Sequence, residues 1–269
     1  MDVPLDVLKL IASYITKHRM KLLDWISVND IITFYSVNLS LNPNAIDILK
    51  QYPEKISMVN LVCNNINPEA LELLDEEDDN IYEYLSSNPN AINILEKNLD
   101  KINWVDLSKN KNAIHLLEAN PDKINWPNLS ENPNAIHLLE NNTDKINWAQ
   151  LSKNPNAIHI LEANQDKIVW EWLSSNYNAV HLMEKNKDKI HWEYLSENKN
   201  AICLLEQNFD KIHWDFLSIN PNAIHLLEKY KSKIYWPWLS ENPSIFELDL
   251  KKINENILNK AILLDKILN

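Results

Sequence analysis

Residues 122–143 read DKINWPNLSENPNAIHLLENNT, and this stretch decides the fold because it recurs along most of the 269-residue chain. Its tryptophan returns at a constant step of 22 residues, and the column contains Trp104, Trp126, Trp148, Trp170, Trp192, Trp214 and Trp236. Less regular copies run upstream through residues 42–46 and 67–71, and a decayed copy ends the array at 242–246. About ten units therefore fill residues 30–250, and such self-similarity is the signature of a repeat architecture.

The first half of each unit, K-I-x-W-x-x-L-S, predicts a short helix. Trp126 and Leu129 lie one helical turn apart, and Pro127 requires any helix here to begin close by. The alternation of Ile124 and Trp126 is instead typical of a strand. We predict a short α- or 3-10 helix, with a short parallel strand, as in leucine-rich repeats, as the alternative.

The second half of each unit predicts an amphipathic helix. Asn132 is a favoured N-cap residue, and Pro133 suits the first helical position because its missing N–H would have no partner there. Apolar residues from Ala135 to Leu139 then fall on one side of a 3.6-residue helix. We expect the helix to end near Asn142, since Asn tolerates the left-handed conformation of a C-cap.

A unit of 22 residues cannot bury its own apolar face, so neighbouring units must stack into a continuous core. The sequence predicts an all-α solenoid of short paired helices (α/3-10), with the seven tryptophans in the structural core and a leucine-rich-repeat-like α/β solenoid as the alternative. Ten units stepping by the spacing of packed helices would form a rod or arc on the order of 100 Å long. Capping helices are expected in residues 1–29 and 251–269, on either side of the array at 30–250.

The composition excludes several classes of function. The chain contains no glycine, so it has neither a Gly-rich phosphate loop nor the G-x-S-x-G turn of a serine hydrolase. Acids and histidines recur by duplication and form no distinctive local constellation, so we predict no enzymatic activity and no cofactor. The net charge of -12 opposes binding to nucleic acid and to anionic membranes.

Cysteine usage and hydropathy predict the location of the protein. Cys63 and Cys203 lie far apart and indicate neither a disulfide framework nor a zinc site. The sequence shows no signal peptide and no 18-residue apolar run. We therefore expect an intracellular, non-secreted protein.

One exposed column is the candidate binding surface. On the helical wheel His137 lies opposite the apolar arc between Ala135 and Leu139, so this histidine should face solvent or a partner. The column contains His115, His137, His159, His181 and His225, with Cys203 in one unit. A single metal ion cannot bridge histidines about 10 Å apart, because metal–nitrogen bonds are near 2.1 Å, so we predict no metal site. Duplication of a tolerated surface residue is the alternative interpretation.

The phrases at residues 122–126 and 132–136 resemble the N-P-N-A-I-x-L-L-E tandem-repeat proteins of giant DNA viruses such as mimiviruses. The resemblance covers roughly residues 40–246 and implies a viral protein acting in the host cytoplasm or the viral factory. It transfers no catalytic residue. Residues 3–15, VPLDVLKLIASYI, are similar to the opening of an F-box, although a capping helix would have the same pattern.

These observations favour a non-enzymatic repeat scaffold that binds a host or viral protein through its long surface. Two alternatives stay open: an F-box-like substrate adaptor of a ubiquitin ligase, and a structural component of the virion or viral factory. Neither the partner nor the oligomeric state follows from the sequence.

Overall fold

The computed structural model describes residues 20–64, 67–74, 81–249 and 251. These residues form short helices in regular tandem order, together with one two-stranded antiparallel sheet. The predicted all-α solenoid of paired α- and 3-10 helices is confirmed, and the leucine-rich-repeat alternative is wrong, since the K-I-x-W segment forms no strand in the described repeats.

Each repeat begins with a first helix, and seven of these helices start with a residue of the tryptophan column. The ten first helices are Val28–Leu39, Met58–Asn64, Ile81–Leu85, Trp104–Leu107, Trp126–Glu131, Trp148–Lys153, Trp170–Leu173, Trp192–Glu197, Trp214–Ile219 and Trp236–Glu241. The start of such a helix is set by the preceding residue: the Asn125 side chain accepts a hydrogen bond from Asn128 N at 3.0 Å. The extended backbone of Asn132, with φ -71° and ψ 116°, ends the same helix.

A second helix and a 3-10 turn complete the repeat. The second α-helices are Ile46–Leu49, Ile92–Leu95, Ile114–Ala119, Ile136–Glu140, Ile158–Ala163, Val180–Lys185, Ile202–Gln207 and Ile224–Lys229. Two 3-10 helices, Pro68–Leu73 and Pro243–Ile245, take this place in the second and last repeats. The connecting 3-10 turns are Pro53–Lys55, Leu99–Lys101, Pro121–Lys123, Thr143–Lys145, Gln165–Lys167, Lys187–Lys189, Phe209–Lys211 and Lys231–Lys233.

The predicted start of the second helix is wrong by a few residues, whereas its end, at Glu140, lies near Asn142 as predicted. Asn132 does not cap the α-helix directly; Asn132 and Ala135 close a turn, in which Ala135 N donates to Asn132 O at 3.1 Å, and the helix begins at Ile136. Pro133 therefore rigidifies the turn instead of the first helical turn. At the other end Asn142 has φ -140° and ψ 54°, so the helix ends without a left-handed residue.

The core is built from columns with almost no exposed surface. In the repeat that begins at Trp126, the residues with 0% exposure are Leu129, Ser130, Asn132, Ala135 and Leu139. The equivalent leucines of the ten first helices, from Leu39 to Leu239, are all buried. Stacked repeats thus share one continuous core, as expected for units that cannot bury their own apolar face.

The tryptophans pack against this core and are only partly buried. Their outer faces are covered by a lysine column in the 3-10 turns at the end of the same repeats: Lys145 Nζ lies 4.4 Å from the Trp126 ring centroid. The same contact joins Lys123 to Trp104, Lys167 to Trp148, Lys189 to Trp170 and Lys233 to Trp214. The lysine column therefore contributes cation–π contacts, each worth about 0.5–1 kcal/mol at an exposed site.

Buried asparagines join successive repeats. Asn154 Nδ2 donates to Ser130 O at 3.0 Å and to Asn132 O at 2.9 Å in the preceding repeat. Its Oδ1 accepts from Asn156 N at 3.0 Å, and Asn156 Nδ2 donates to Pro133 O at 2.8 Å. The double donation recurs at Asn110, Asn132, Asn176, Asn198, Asn220 and Asn242. We call this column the asparagine ladder.

A column of buried serines links the repeats a second time. Ser130 Oγ donates to Trp126 O at 2.8 Å within its helix and accepts from Asn147 N, in the next repeat, at 3.0 Å. A hydroxyl serves here because it is both a donor and an acceptor in a space that is closed to water.

The two ends of the array meet. Strand β1, Met20–Leu22, pairs antiparallel with strand β2, Phe246–Leu248, so that Lys21 is opposite Glu247. The Lys21 and Glu247 side chains form an ion pair at 2.9 Å. Residues before the first repeat are thus held against residues that follow the last.

The asparagine ladder also continues across this junction. Asn42 Nδ2, in the first repeat, donates to Ser240 O at 3.0 Å and to Asn242 O at 2.8 Å in the last repeat. Asn44 Nδ2 donates to Pro243 O at 2.9 Å. These are the bonds that join neighbouring repeats elsewhere, so the first repeat packs on the last as on a preceding neighbour, and the ten repeats close into a ring.

Closure corrects the expectation of a rod or arc with two free ends. The division into residues 1–29, 30–250 and 251–269 stays a prediction. Its two capping helices lie outside the described residues, as does the F-box-like segment at 3–15. Within 20–29 the chain forms β1 and the start of the first helix Val28–Leu39.

Candidate functional site

The inner face of the ring carries a row of aromatic side chains. Two positions after the tryptophan, four consecutive repeats have Trp172, Tyr194, Phe216 and Trp238, which we call the aromatic arc. The ring centroids of successive members are 5.1, 5.6 and 4.7 Å apart. These separations are well below the roughly 8–10 Å between the axes of packed helices, so the side chains converge on the concave side.

The fold does not require aromatic residues at this position. The same column contains Asp106, Asn128 and Gln150 in the three preceding repeats, whose first helices occupy the same place in the ring. Each arc residue is only partly buried. Partly exposed aromatic groups at a position where other repeats have polar residues are typical of a binding surface.

A groove of about 450 Å³ runs along this face next to the arc. Its lining includes one column of the first helices in five consecutive repeats, five residues after the tryptophan position: Glu131, Lys153, Ser175, Glu197 and Ile219. The remaining lining residues are Trp172 and Tyr177. Equivalent residues of five repeats come close enough to line one groove only on the concave side of the ring, so this column faces inward.

Carboxylates accompany the arc. Glu171, Glu193 and Asp215 directly precede the first three arc residues, at a position occupied by Val105, Pro127 and Ala149 in earlier repeats. Side chains four apart on a helix share a face, so this column lies beside the groove column.

The electrostatics of the groove reflect this crowding of acids. Desolvation raises the pKa of the Tyr194 hydroxyl, and Glu171, Glu193 and Glu197 raise it further. Burial raises the pKa of the Glu197 carboxyl, while Lys153 lowers it. Both shifts disfavour additional negative charge in the groove and favour a cation there.

The predicted histidine column is exposed, but each histidine already has an intramolecular partner. Their side chains are 44% to 58% exposed, and each Nε2 meets a glutamate of the preceding repeat, as in the pair His137–Glu118 at 2.8 Å. The other pairs are His115–Glu96, His159–Glu140, His181–Glu162 and His225–Glu206. None of the five lines the groove.

Metal donors do not converge. In the ranges that the structure describes, no three His, Cys, Asp or Glu side chains are grouped so that they could hold a metal ion. Cys63 and Cys203 are free thiols, the former on a first helix and the latter on a second helix. Burial raises the pKa of the Cys63 thiol, which disfavours the thiolate that metals bind.

No helix within the described residues is long and apolar enough to cross a bilayer.

Sequence reasoning missed the aromatic arc because it followed the constant columns. The available signal was a column that changes from polar to aromatic within one chain while the tryptophan, leucine and asparagine columns stay constant. In a repeat protein such a change has little effect on the core and marks a local specialisation of the surface.

Comparison with known proteins identifies the family. No curated protein and no solved structure matches the sequence significantly. The family model of NosD, described as a periplasmic copper-binding protein, matches residues 90–258. Since the match covers well over half of the sequence, the chain belongs to the NosD family.

Proposed function

We propose that this protein is a non-enzymatic scaffold whose inner face binds a segment of another protein. The observation that carries the proposal is the aromatic arc, which lies beside a groove at a position where the preceding repeats have Asp, Asn or Gln. Aromatic side chains of this kind provide the anchor residues of protein interfaces.

The description of the family raises the question of copper. The donor groups do not fit it: the histidines are paired singly with glutamates, and the described residues contain no cluster of three ligand side chains. We therefore assign copper no part in the proposed function.

The histidine column remains a second candidate surface. It differs from the arc in one respect that matters for binding, because each histidine would have to exchange its glutamate partner for a group of the ligand. The arc residues bind without breaking an ion pair.

Two further expectations belong to this proposal. The repeat resembles proteins of giant DNA viruses, which supports an intracellular role in an infected cell, whereas the family description names the periplasm. Fractionation of the source cells distinguishes the two locations. The F-box-like and virion roles rest on no described residue.

The experiment is quantitative affinity purification with the full chain and two variants. The arc variant, Trp172→Gln, Tyr194→Asn and Phe216→Asn, uses uncharged residue types that the chain itself has in this column. The histidine variant, His137→Ser, His159→Ser and His181→Ser, is the matched control with three changes on the second helices. Circular dichroism first establishes that both variants are folded.

We expect one stoichiometric protein partner that is lost with the arc variant and retained by the histidine variant. If the partner is lost with the histidine variant alone, the binding site is the histidine column and the proposal is wrong. Equal recovery from all three chains would overturn the proposal that the inner face binds.

A further inference from the structure

The faces of groove aromatics in this protein already hold cations. Lys153 Nζ lies 3.9 Å from the Trp172 ring centroid, and Lys199 Nζ lies 3.9 Å from that of Tyr177. Both rings line the groove. Among the described residues, no lysine covers Tyr194, Phe216 or Trp238, so the arc has further rings available for the same type of contact.

Acids and aromatics occur together at this face. Of the ten first helices, four have an acid one residue after the tryptophan position, and in each the next residue is aromatic: Glu83–Tyr84, Glu171–Trp172, Glu193–Tyr194 and Asp215–Phe216. In the other six first helices the residue directly after the tryptophan position is apolar, and the next residue is polar in all of them except Pro237–Trp238. The two columns change together, so they form one surface with two chemical components.

Two buried polar atoms near this surface have no hydrogen-bond partner. Gln150 Oε1 occupies the arc column in the repeat before Trp172, and His191 Nδ1 belongs to a ring that packs 4.9 Å from Tyr194. Both atoms are buried and have no hydrogen-bond partner. Because buried polar atoms are normally satisfied, these are two places beside the arc where the fold leaves a polar atom unpaired.

We propose that the inner face binds an extended, arginine-rich peptide segment, with guanidinium groups on the rings of the aromatic arc and ion-paired to Glu171, Glu193 and Asp215. This inference rests on the proposed function and names the class of partner. Arginine fits better than lysine because its planar guanidinium stacks on aromatic faces and presents five N–H donors. The net charge of -12 attracts such a segment over a distance.

The test measures fluorescence anisotropy of a labelled 12-residue peptide of alternating Arg and Ala, with alternating Gln and Ala as the neutral control. The acid variant carries Glu171→Gln, Glu193→Gln and Asp215→Asn. Its charge-matched control carries Glu118→Gln, Glu140→Gln and Glu162→Gln, which removes the same charge from the second helices.

We expect the Arg peptide to bind the full chain and the Gln peptide to bind at least about tenfold more weakly. The acid variant and the arc variant should each lose about tenfold in affinity for the Arg peptide, while the charge-matched control keeps its affinity. Raising the salt concentration should weaken binding to the full chain more than to the acid variant.

Equal losses in the acid variant and its control would mean unspecific attraction by net charge and would overturn the site. Failure of the Arg peptide to bind would overturn the class of partner. That failure is distinguishable from failure of the proposed function, because a neutral or acidic protein captured through the arc would still support an interaction scaffold.

Discussion

Replacing Asn42 with alanine tests whether the ring is closed in solution. Asn42 is 0% exposed, its Nδ2 donates to Ser240 O and Asn242 O, and its Oδ1 accepts from Asn44 N at 3.0 Å. Three buried hydrogen bonds at about 1 kcal/mol each, with carbonyl oxygens left short of a donor, give a loss of about 3–4 kcal/mol in the free energy of unfolding. In an open array the bonds to Ser240 and Asn242 are already absent, so the loss should be smaller by about 2 kcal/mol.

Asn154→Ala is the internal reference, because Asn154 makes the same two donations to the preceding repeat and the same turn bond, here to Asn156 N, in the centre of the array. Asn141→Ala is the surface control, since Asn141 is exposed and bonds only within its own helix, to His137 O. Urea unfolding followed by circular dichroism gives all three free energies by linear extrapolation.

The closed ring requires the loss at Asn42 to equal the loss at Asn154 within about 1 kcal/mol. If Asn42→Ala lowers the free energy of unfolding as little as Asn141→Ala does, while Asn154→Ala lowers it strongly, the array is open in solution and the ring is not closed. If Asn154→Ala is also mild, the asparagine ladder contributes little to stability and the reasoning from hydrogen bonds is wrong.

Three further changes test other contacts. Ser130→Ala leaves the Asn147 N–H without its buried acceptor and should lower the free energy of unfolding by about 1–3 kcal/mol. Urea titration measures this change, and an unchanged free energy would contradict the bridging role of the serine. Lys145→Met keeps the aliphatic stem over Trp126 but removes its charge, so a loss of about 0.5–1 kcal/mol is expected, and an unchanged unfolding midpoint would refute the cation–π contribution. The raised pKa of Glu197 means that its ionised form destabilises the folded state above that pKa, so Glu197→Gln should raise the melting temperature at pH 7. The gain should shrink as the pH falls through the raised pKa toward the ordinary value of 4.5, and a pH-independent difference would contradict this linkage.

The helical repeat was predictable because its signals are local. A 22-residue period, a proline beside each asparagine turn and leucines one helical turn apart depend only on neighbouring residues. The asparagine column is equally regular in the sequence, but its burial and its main role, donation between repeats, depend on the packed neighbour that the sequence does not display.

Closure was not predictable in the same way, because it depends on a small rotation between repeats that accumulates over ten steps. One local hint was present. The buried pair Ser240–Asn242 in the last repeat and the pair Ser40–Asn42 in the first retain the residues of central repeats. End repeats of an open solenoid would instead need a polar outer face, since nothing covers them.

The candidate site was missed for the opposite reason. The histidine column was singled out because it is constant, and it is solvent-exposed as expected, but its members are paired with glutamates. The arc from Trp172 to Trp238 lies in a variable column, and its inward direction follows from ring curvature, which no single repeat reveals.

The closed ring also restricts how the gene can change. An open array of repeats can gain or lose units by unequal recombination, because a new unit needs only one neighbour on each side. Here an eleventh unit would separate Asn42 from Asn242 or force every junction to adopt a different angle. Copy number is therefore fixed by geometry, and diversification is confined to substitutions in the columns that line the inside of the ring or face the solvent.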